Sequence, residues 1–396
     1  MGDFWQHGPV ITIHRLPGAG KVPLADRVRE WAREKPLALL IPALAAEMDG
    51  PAFHLILEEL KSVDYVAEVI LVLGRATRED FGRAKNALAK LPVRSTVVWP
   101  ESDHLLPVFE SAKDRVDIGP PGKGRDVWIA LGYLLGEGGF HAVGLHDADI
   151  VTYTPEIPLR LFSPLIHPDL NLSFCKGYYA RVSDSGLAGR VTRLLVAPLL
   201  FLLAREGSSP ALRTMAAMRY VLSGEFSLTS ELGKRIPIPR DWGLEVGILS
   251  AVAAILPPER ICQADLCDNY EHKHQDLSPK DKFRGLNRMA TEVSANILRE
   301  AGISGTVADL PERYREKALL MIPAFRADAL VNGLPYDEEK EKATVKTFSR
   351  ALEEAMGLLE KGGIIAPLPP WNETEKLIPG LTDAIVEAVK RDNKAG

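Results

Sequence analysis

The sequence predicts an α/β fold, a mostly parallel, doubly wound sheet covered by helices. Three observations carry that expectation. Short apolar runs of five to eight residues recur through the first 150 positions, the length of strands. The stretches between them have helical spacing and charged faces. The composition, 46% apolar and 26% charged over 396 residues, suits a chain with a sizeable core. Strand and helix alternating in this way build parallel sheets through helical crossovers.

In order, 37–44 (LALLIPAL) reads as a buried strand and 52–63 as a helix. The β-branched run 69–73 (VILVL) is a second strand, and the charged, alanine-rich 77–90 a helix. A third strand at 95–99 (STVVW), a helix at 126–135 and a fourth strand at 141–146 (HAVGLH) follow. Residues 150–275 are mixed, with several glycine-rich turns. The apolar run 194–204 contains Pro198 and has eleven residues. That is well short of the roughly 20 a bilayer span needs, so it reads as a buried helix. Long helical patterns then occupy 280–301, 336–361 and 373–393, with proline-rich links such as APLPP at 366–370. The expected organisation is a sheet-bearing α/β domain over 1–276 and a helical extension over 277–396, ending in a polar, frayed tail at 391–396.

Lys and Arg number 48 against 53 Asp and Glu, a net charge of −5. The chain therefore lacks the basic surplus of a nucleic-acid binder. Three cysteines without a CxxC pair build neither a disulfide framework nor a structural zinc site. The N-terminal segment has no basic stretch leading into an apolar core, so a soluble, cytoplasmic protein is expected, without membrane attachment.

In doubly wound sheets, ligands bind beyond the carboxyl ends of the strands. Asp147-Ala148-Asp149 sits there, directly after the fourth strand. Two carboxylates one residue apart can face a divalent cation, since Mg²⁺ and Mn²⁺ prefer hard oxygen ligands; the plain alternative is a solvated acidic turn. Gly119 to Arg125 (GPPGKGR) precedes a helix. Its glycines let the backbone approach a diphosphate and Lys123 supplies positive charge, unless it is an ordinary surface loop. His272 and His274 lie two residues apart in Tyr270-Glu-His-Lys-His-Gln275. A neutral imidazole there can complete the shell begun by Asp149; otherwise the segment is a polar connection. Gly189-Arg190-Val191-Thr192 opens the apolar helix and offers a candidate anion site, or else a capping turn. Ser223-Gly-Glu225 and Trp242-Gly-Leu-Glu245 each set a carboxylate beside a glycine, as site acids or as helix caps. Gly18-Ala-Gly-Lys21 fails as a Walker-type loop, because Arg15 and Val22 stand where Gly and Ser or Thr are needed.

Taken in order, PAL (42–44), GKG, DAD, GRVT, SGE, WGLE and EHKH resemble the glucosyl-3-phosphoglycerate synthases. They also resemble the related mannosyl-3-phosphoglycerate synthases of the same retaining glycosyltransferase family, over about 37–300. The resemblance implies a GT-A fold, a homodimer and a divalent metal, Mg²⁺ or Mn²⁺. It implies transfer of a hexose from a nucleoside-diphosphate sugar to the 2-hydroxyl of 3-phospho-D-glycerate. By motif, Pro42, Ala43 and Leu44 would contact base and ribose, and Lys123 the nucleotide end. Asp149 would bind the metal with His272, or with His274 if the register slips, and Asp147 would lie near ribose or sugar. Gly189, Arg190 and Thr192 would hold the acceptor phosphate. Glu245 and the turn from Leu222 to Glu225 would face the sugar. The catalytic set would be Asp149, Lys123 and Glu245. No carboxylate stands out as a nucleophile, which favours attack from the face the leaving group vacates.

The chain departs from the family pattern at Ala45-Ala46-Glu47 after PAL, at Gly74-Arg75-Ala76-Thr77 after the second strand, and at Trp242, where Tyr is often found. UDP against GDP, and glucose against mannose, stay open on these motifs, with glucose favoured. So does the acceptor, phosphorylated or free glycerate. A non-catalytic nucleotide-sugar binder and a nucleotidyltransferase are the rivals from other classes. The intact DAD and HKH pairs speak against the first, and the absence of a GxGxR loop after the first strand against the second.

Overall fold

The four expected strands form at the expected places in the computed structural model, which describes residues 6, 8–16, 20–206, 209–272, 285–303, 305–363 and 365–394. The 276/277 boundary, His274 and residues 18 and 19 of the rejected glycine loop lie outside the described residues. The strands are β1 (Ile11–Ile13), β2 (Leu37–Leu44), β3 (Glu68–Gly74), β4 (Arg94–Val98), β5 (Ala142–Leu145), β6 (Phe174–Tyr178), β7 (Val182–Ser183), β8 (Gly186–Leu187), β9 (Phe226–Thr229) and β10 (Ile261–Asp265). Eight of them make one sheet in the order β1-β10-β6-β9-β5-β2-β3-β4, and β7 and β8 make a small ribbon. All neighbours in the main sheet are parallel except β9, which runs antiparallel to both β5 and β6.

Helices cover both faces, so the central strands are apolar on both sides. In β2, Ala38 and Leu40 enter one core cluster while Leu37, Leu39 and Ile41 enter the other. The strand order turns back beside β2, which pairs with β3 on one side and β5 on the other. A crevice opens at such a switch point, beyond the carboxyl ends. Cys175 and Cys262 pair across β6 and β10, and all three cysteines are free and buried. Among the described residues no helix is long and apolar enough to cross a membrane.

The C-terminal helices share the core of the sheet. Trp371 stacks on Trp128 of the helix Lys123–Glu137 with ring centroids 4.0 Å apart. Its indole Nε1 donates to the Trp128 carbonyl at 2.9 Å. Gly132 allows this approach, since a Cβ there would lie 2.2 Å from the Trp371 ring. Three expectations need correction. The pattern over 373–393 is two helices, Trp371–Leu377 and Leu381–Lys394, because Gly380 between them takes φ +81°. A 22-residue helix, Leu310–Val331, was not foreseen: it contains Pro323 and exposes Leu320 and Val331, which hides its amphipathic pattern. The tail is held rather than frayed as far as Lys394. The Asn393 side chain donates to the Val97 carbonyl (2.8 Å) and accepts from the Val97 amide (3.2 Å), completing the edge of β4 as another strand would.

Candidate active site

The site grows from the ends of β2 and β5. Pro42, Ala43 and Leu44 finish β2, and the Glu47 carboxylate accepts from the Leu44 amide at 2.8 Å. Beside them β5 ends at Leu145 and releases His146 to Asp149. His146 is fully buried. Its Nδ1 lies 2.9 Å from the Asp147 carbonyl and its Nε2 3.1 Å from the Tyr153 hydroxyl. Burial pushes its pKa down to about 4, so the ring is a neutral strut under the acidic triplet.

Lys123 is the first residue of its helix, with Gly122 as N-cap, so the cation stands at a helix N-terminus that itself favours anions. Gly124 is required there: a Cβ would lie 1.9 Å from the Pro239 carbonyl oxygen. The Lys123 ammonium meets Asp147 at 2.6 Å and Glu245 at 3.5 Å. Burial opposes its charge, but Asp147 and Glu245 outweigh that and hold it above the ordinary lysine value. Burial likewise works to raise Asp147, and Lys123 overcomes it and holds the carboxylate below the usual range. Glu245 sits in the first turn of the helix Leu244–Ile255. Gly224 closes the other side of Asp147, where a Cβ would stand 2.6 Å from Oδ2.

The two predicted metal residues meet. His272 Nδ1 lies 3.5 Å from Asp149 Oδ2. They are brought together by a bridge between Ile150 and His272 and by Val151 N–H donating to the Glu271 carbonyl at 2.9 Å. A carboxylate oxygen and an imidazole nitrogen at this spacing fit adjacent positions around one hard or borderline divalent ion. Among the described residues no group of three or more His, Cys, Asp or Glu forms, so the donor set described is this pair.

The turn from Leu222 to Glu225 lies against the triplet. Glu225 is fully buried, and its oxygens accept from the hydroxyls of Tyr270 (2.5 Å), Ser223 (3.1 Å) and Tyr179. Both oxygens of this carboxylate are thus engaged by hydroxyl donors. Lys176 of β6, also buried, donates to the Ser223 carbonyl at 2.5 Å, and burial pushes its pKa down to about 8.

At the GRVT segment Gly189 takes φ +68° and Arg190 stands half-buried before the turn Val191–Val196. The Thr192 side chain lies close to the Tyr220 hydroxyl, to which Arg181 donates at 2.7 Å. Arg181 Nε is buried and has no hydrogen-bond partner among the described residues. Sequence reasoning missed Tyr179, Arg181 and Tyr220. The signal for the first two was available, since they follow β6, the strand end next to inspect under the same rule. At the end of β3, Arg75 takes φ +54° and its amide donates to Glu101 at 3.3 Å. Arg125 pairs with Glu101 and Asp126, whose carboxyl burial pushes up to about 7.

An acidic triplet at the switch point, a lysine at a helix N-terminus and a carboxylate–imidazole pair on this sheet define a nucleotide-sugar glycosyltransferase of the GT-A type. The chain belongs to the glucosyl-3-phosphoglycerate synthase family. It is 37% identical to the glucosyl-3-phosphoglycerate synthase of Persephonella marina, covering 99% of both chains. It is 34% identical to that of Methanococcoides burtonii, over 99% of this chain and 98% of the other. The fold matches the Mycobacterium tuberculosis glucosyl-3-phosphoglycerate synthase solved with Mn²⁺, UDP and glucosyl-3-phosphoglycerate. That match has a TM-score of 0.55 at 23% identity, over 74% of this chain and 88% of the other. No family model matches the chain.

Proposed function

We propose that this chain is a metal-dependent, retaining glucosyltransferase that moves glucose from UDP-glucose to the 2-hydroxyl of 3-phosphoglycerate. The observation that carries the reading is the meeting of Asp149 with His272 beside the Lys123–Asp147 pair, in a chain of this family. The Mycobacterium tuberculosis relative has been solved with Mn²⁺, UDP-glucose and phosphoglyceric acid together, and with Mg²⁺ and UDP. Those ligands suit the groups gathered here.

In this reading Pro42, Ala43 and Leu44 bind base and ribose at the end of β2. Lys123 and the helix amides behind it hold the diphosphate, the place where negative charge develops. Asp149 and His272 hold the divalent ion, which neutralises charge on the departing diphosphate. Asp147, Glu245 and the Leu222 turn orient the sugar. Gly189, Arg190 and Thr192 take the acceptor phosphate, and Arg181 joins them through Tyr220. Glu225 is enclosed by three hydroxyls and Glu245 is paired with Lys123. Neither is presented as a nucleophile, which supports attack from the face the leaving group vacates. The acceptor proton passes to a departing phosphate oxygen, and fixed orientation of the acceptor supplies much of the rate. A cytoplasmic setting, supported by three free thiols, and a homodimer with twice the mass of the chain belong to the same reading. Sedimentation velocity checks the dimer.

The test is an activity matrix that crosses UDP- and GDP-linked glucose and mannose with 3-phosphoglycerate and glycerate, each with Mg²⁺ and Mn²⁺. UDP-glucose with 3-phosphoglycerate should be the fastest pair, and no pair should turn over with the metal chelated. Equal rates on free glycerate would overturn the acceptor assignment, and faster transfer from GDP-mannose the donor assignment.

A further inference from the structure

The reaction as described gives the Glu225 carboxylate no step of its own, yet this buried group joins three parts of the site. Its Oε1 accepts from the Tyr270 hydroxyl at 2.5 Å. Its Oε2 accepts from Ser223 at 3.1 Å and from Tyr179. Ser223 belongs to the turn beside Asp147, through Gly224. Tyr270 belongs to the segment that carries His272 and packs edge-on against that imidazole, with ring centroids 5.7 Å apart. Tyr179 follows β6 and stacks on Tyr270 at 3.9 Å with the rings 5° from parallel. The Tyr270 amide donates to the Ala180 carbonyl at 2.9 Å, which anchors the same segment from its backbone.

We propose that Glu225 and Tyr270 are positioning residues that set the cation-binding arm, holding His272 opposite Asp149 and tying it to the turn that faces the donor sugar. The inference rests on the reading of Asp149 and His272 as the cation ligands. Its physical content is an accounting of hydrogen bonds. In a site closed to water, a carboxylate oxygen keeps its donor or is left unsatisfied. The Tyr270 hydroxyl is therefore fixed in place, and the ring it carries fixes one wall of the imidazole. Groups behind a metal ligand commonly govern affinity as strongly as the ligand's own orientation requires. The Ser223 turn shares the same carboxylate, so the cation-binding arm and the turn are held to one anchor.

The test measures Mn²⁺ binding to the full chain by the electron paramagnetic resonance of free Mn²⁺, with Mn²⁺ alone and with UDP added. Tyr270→Phe keeps the stacked ring and removes only the hydroxyl. It should weaken Mn²⁺ binding about tenfold, with UDP affinity in the absence of metal unchanged. Tyr179→Phe leaves the Tyr270 contact in place and should hold Mn²⁺ affinity within about twofold. Glu225→Gln should resemble Tyr270→Phe. Should it not fold, Tyr270→Phe, which deletes a single oxygen, carries the test. Asp149→Ala runs alongside to separate the two levels of the argument. If it binds Mn²⁺ normally, the ligand reading itself fails. If it loses Mn²⁺ while Tyr270→Phe binds like the parent, the ligand reading stands and the positioning role is overturned. An equal loss in Tyr179→Phe and Tyr270→Phe also overturns it, since that would be general loosening of the buried cluster.

Discussion

The proposed donor side and the proposed acceptor side of the cleft are built differently. On the proposed donor side PAL sits at the end of β2, the acidic triplet at the end of β5 and Lys123 at a helix start, with His272, on the irregular segment after β10, the exception. Strand pairing and helix geometry set their positions, as with Leu40 opposite Leu145 across β2 and β5. On the acceptor side Arg181, Arg190, Thr192 and Tyr220 come from loops and a short helical turn, and side-chain contacts such as Arg181 to Tyr220 at 2.7 Å hold them. Backbone-built sites tend to present charge in a fixed place, which matters most in the transition state. Side-chain-built sites tend to govern binding. The two sides should therefore fail differently when altered.

Asp149→Ala should produce the largest effect, a fall in kcat of roughly a thousandfold with Mn²⁺ present, because stabilisation of the leaving group is lost. Steady-state kinetics on a variant with an unchanged circular dichroism spectrum checks it; near-normal turnover would break the donor-side account. Arg190→Ala should act on the other side. It should raise the KM for 3-phosphoglycerate about 10- to 100-fold, the value of a charge-assisted hydrogen bond, and hardly change that for UDP-glucose. Equal effects on both substrates would erase the distinction between the two sides. The smallest effect concerns stability and sharpens the donor side alone. His146 is held neutral by burial, with its pKa lowered from 6.5 to about 4. Between those values the unfolded chain takes up a proton that the folded chain refuses. Stability therefore falls as pH drops through that window, by on the order of 3 kcal/mol in full. His146→Gln should flatten this part of the profile, read from urea midpoints at about pH 7.5 and about pH 5. An unchanged slope would show that another group carries it.

Much of the donor side was legible because its signals are local. A β-branched run predicts a strand, and the residues that follow it predict the ligand-facing edge. The acidic triplet comes from that rule; Lys123 was marked by the glycine-rich turn before its helix, and PAL by the resemblance alone. The same rule, carried on to β6, would have reached Tyr179 and Arg181. Tyr220 had no such signal, since its role depends on Arg181 and Thr192 arriving from other segments. The helix Leu310–Val331 escaped for a different reason: apolar residues on its outward side mask the period that would mark a buried face. The tail was misjudged because polarity reads as solvent exposure, while Asn393 spends its amide on the edge of β4.

By itself the amino-acid order determined four of the strands and the motifs around them, which follow from neighbours along the chain and from periodicity; the succession of those motifs carried the resemblance to the family. Only the tertiary structure decided that Asp149 meets His272, that Lys123 is shared by Asp147 and Glu245, and that Glu225 is enclosed by three hydroxyls. Those facts depend on which distant segments are brought within hydrogen-bonding range and sealed from water, and that is set by how the strands cross and pack.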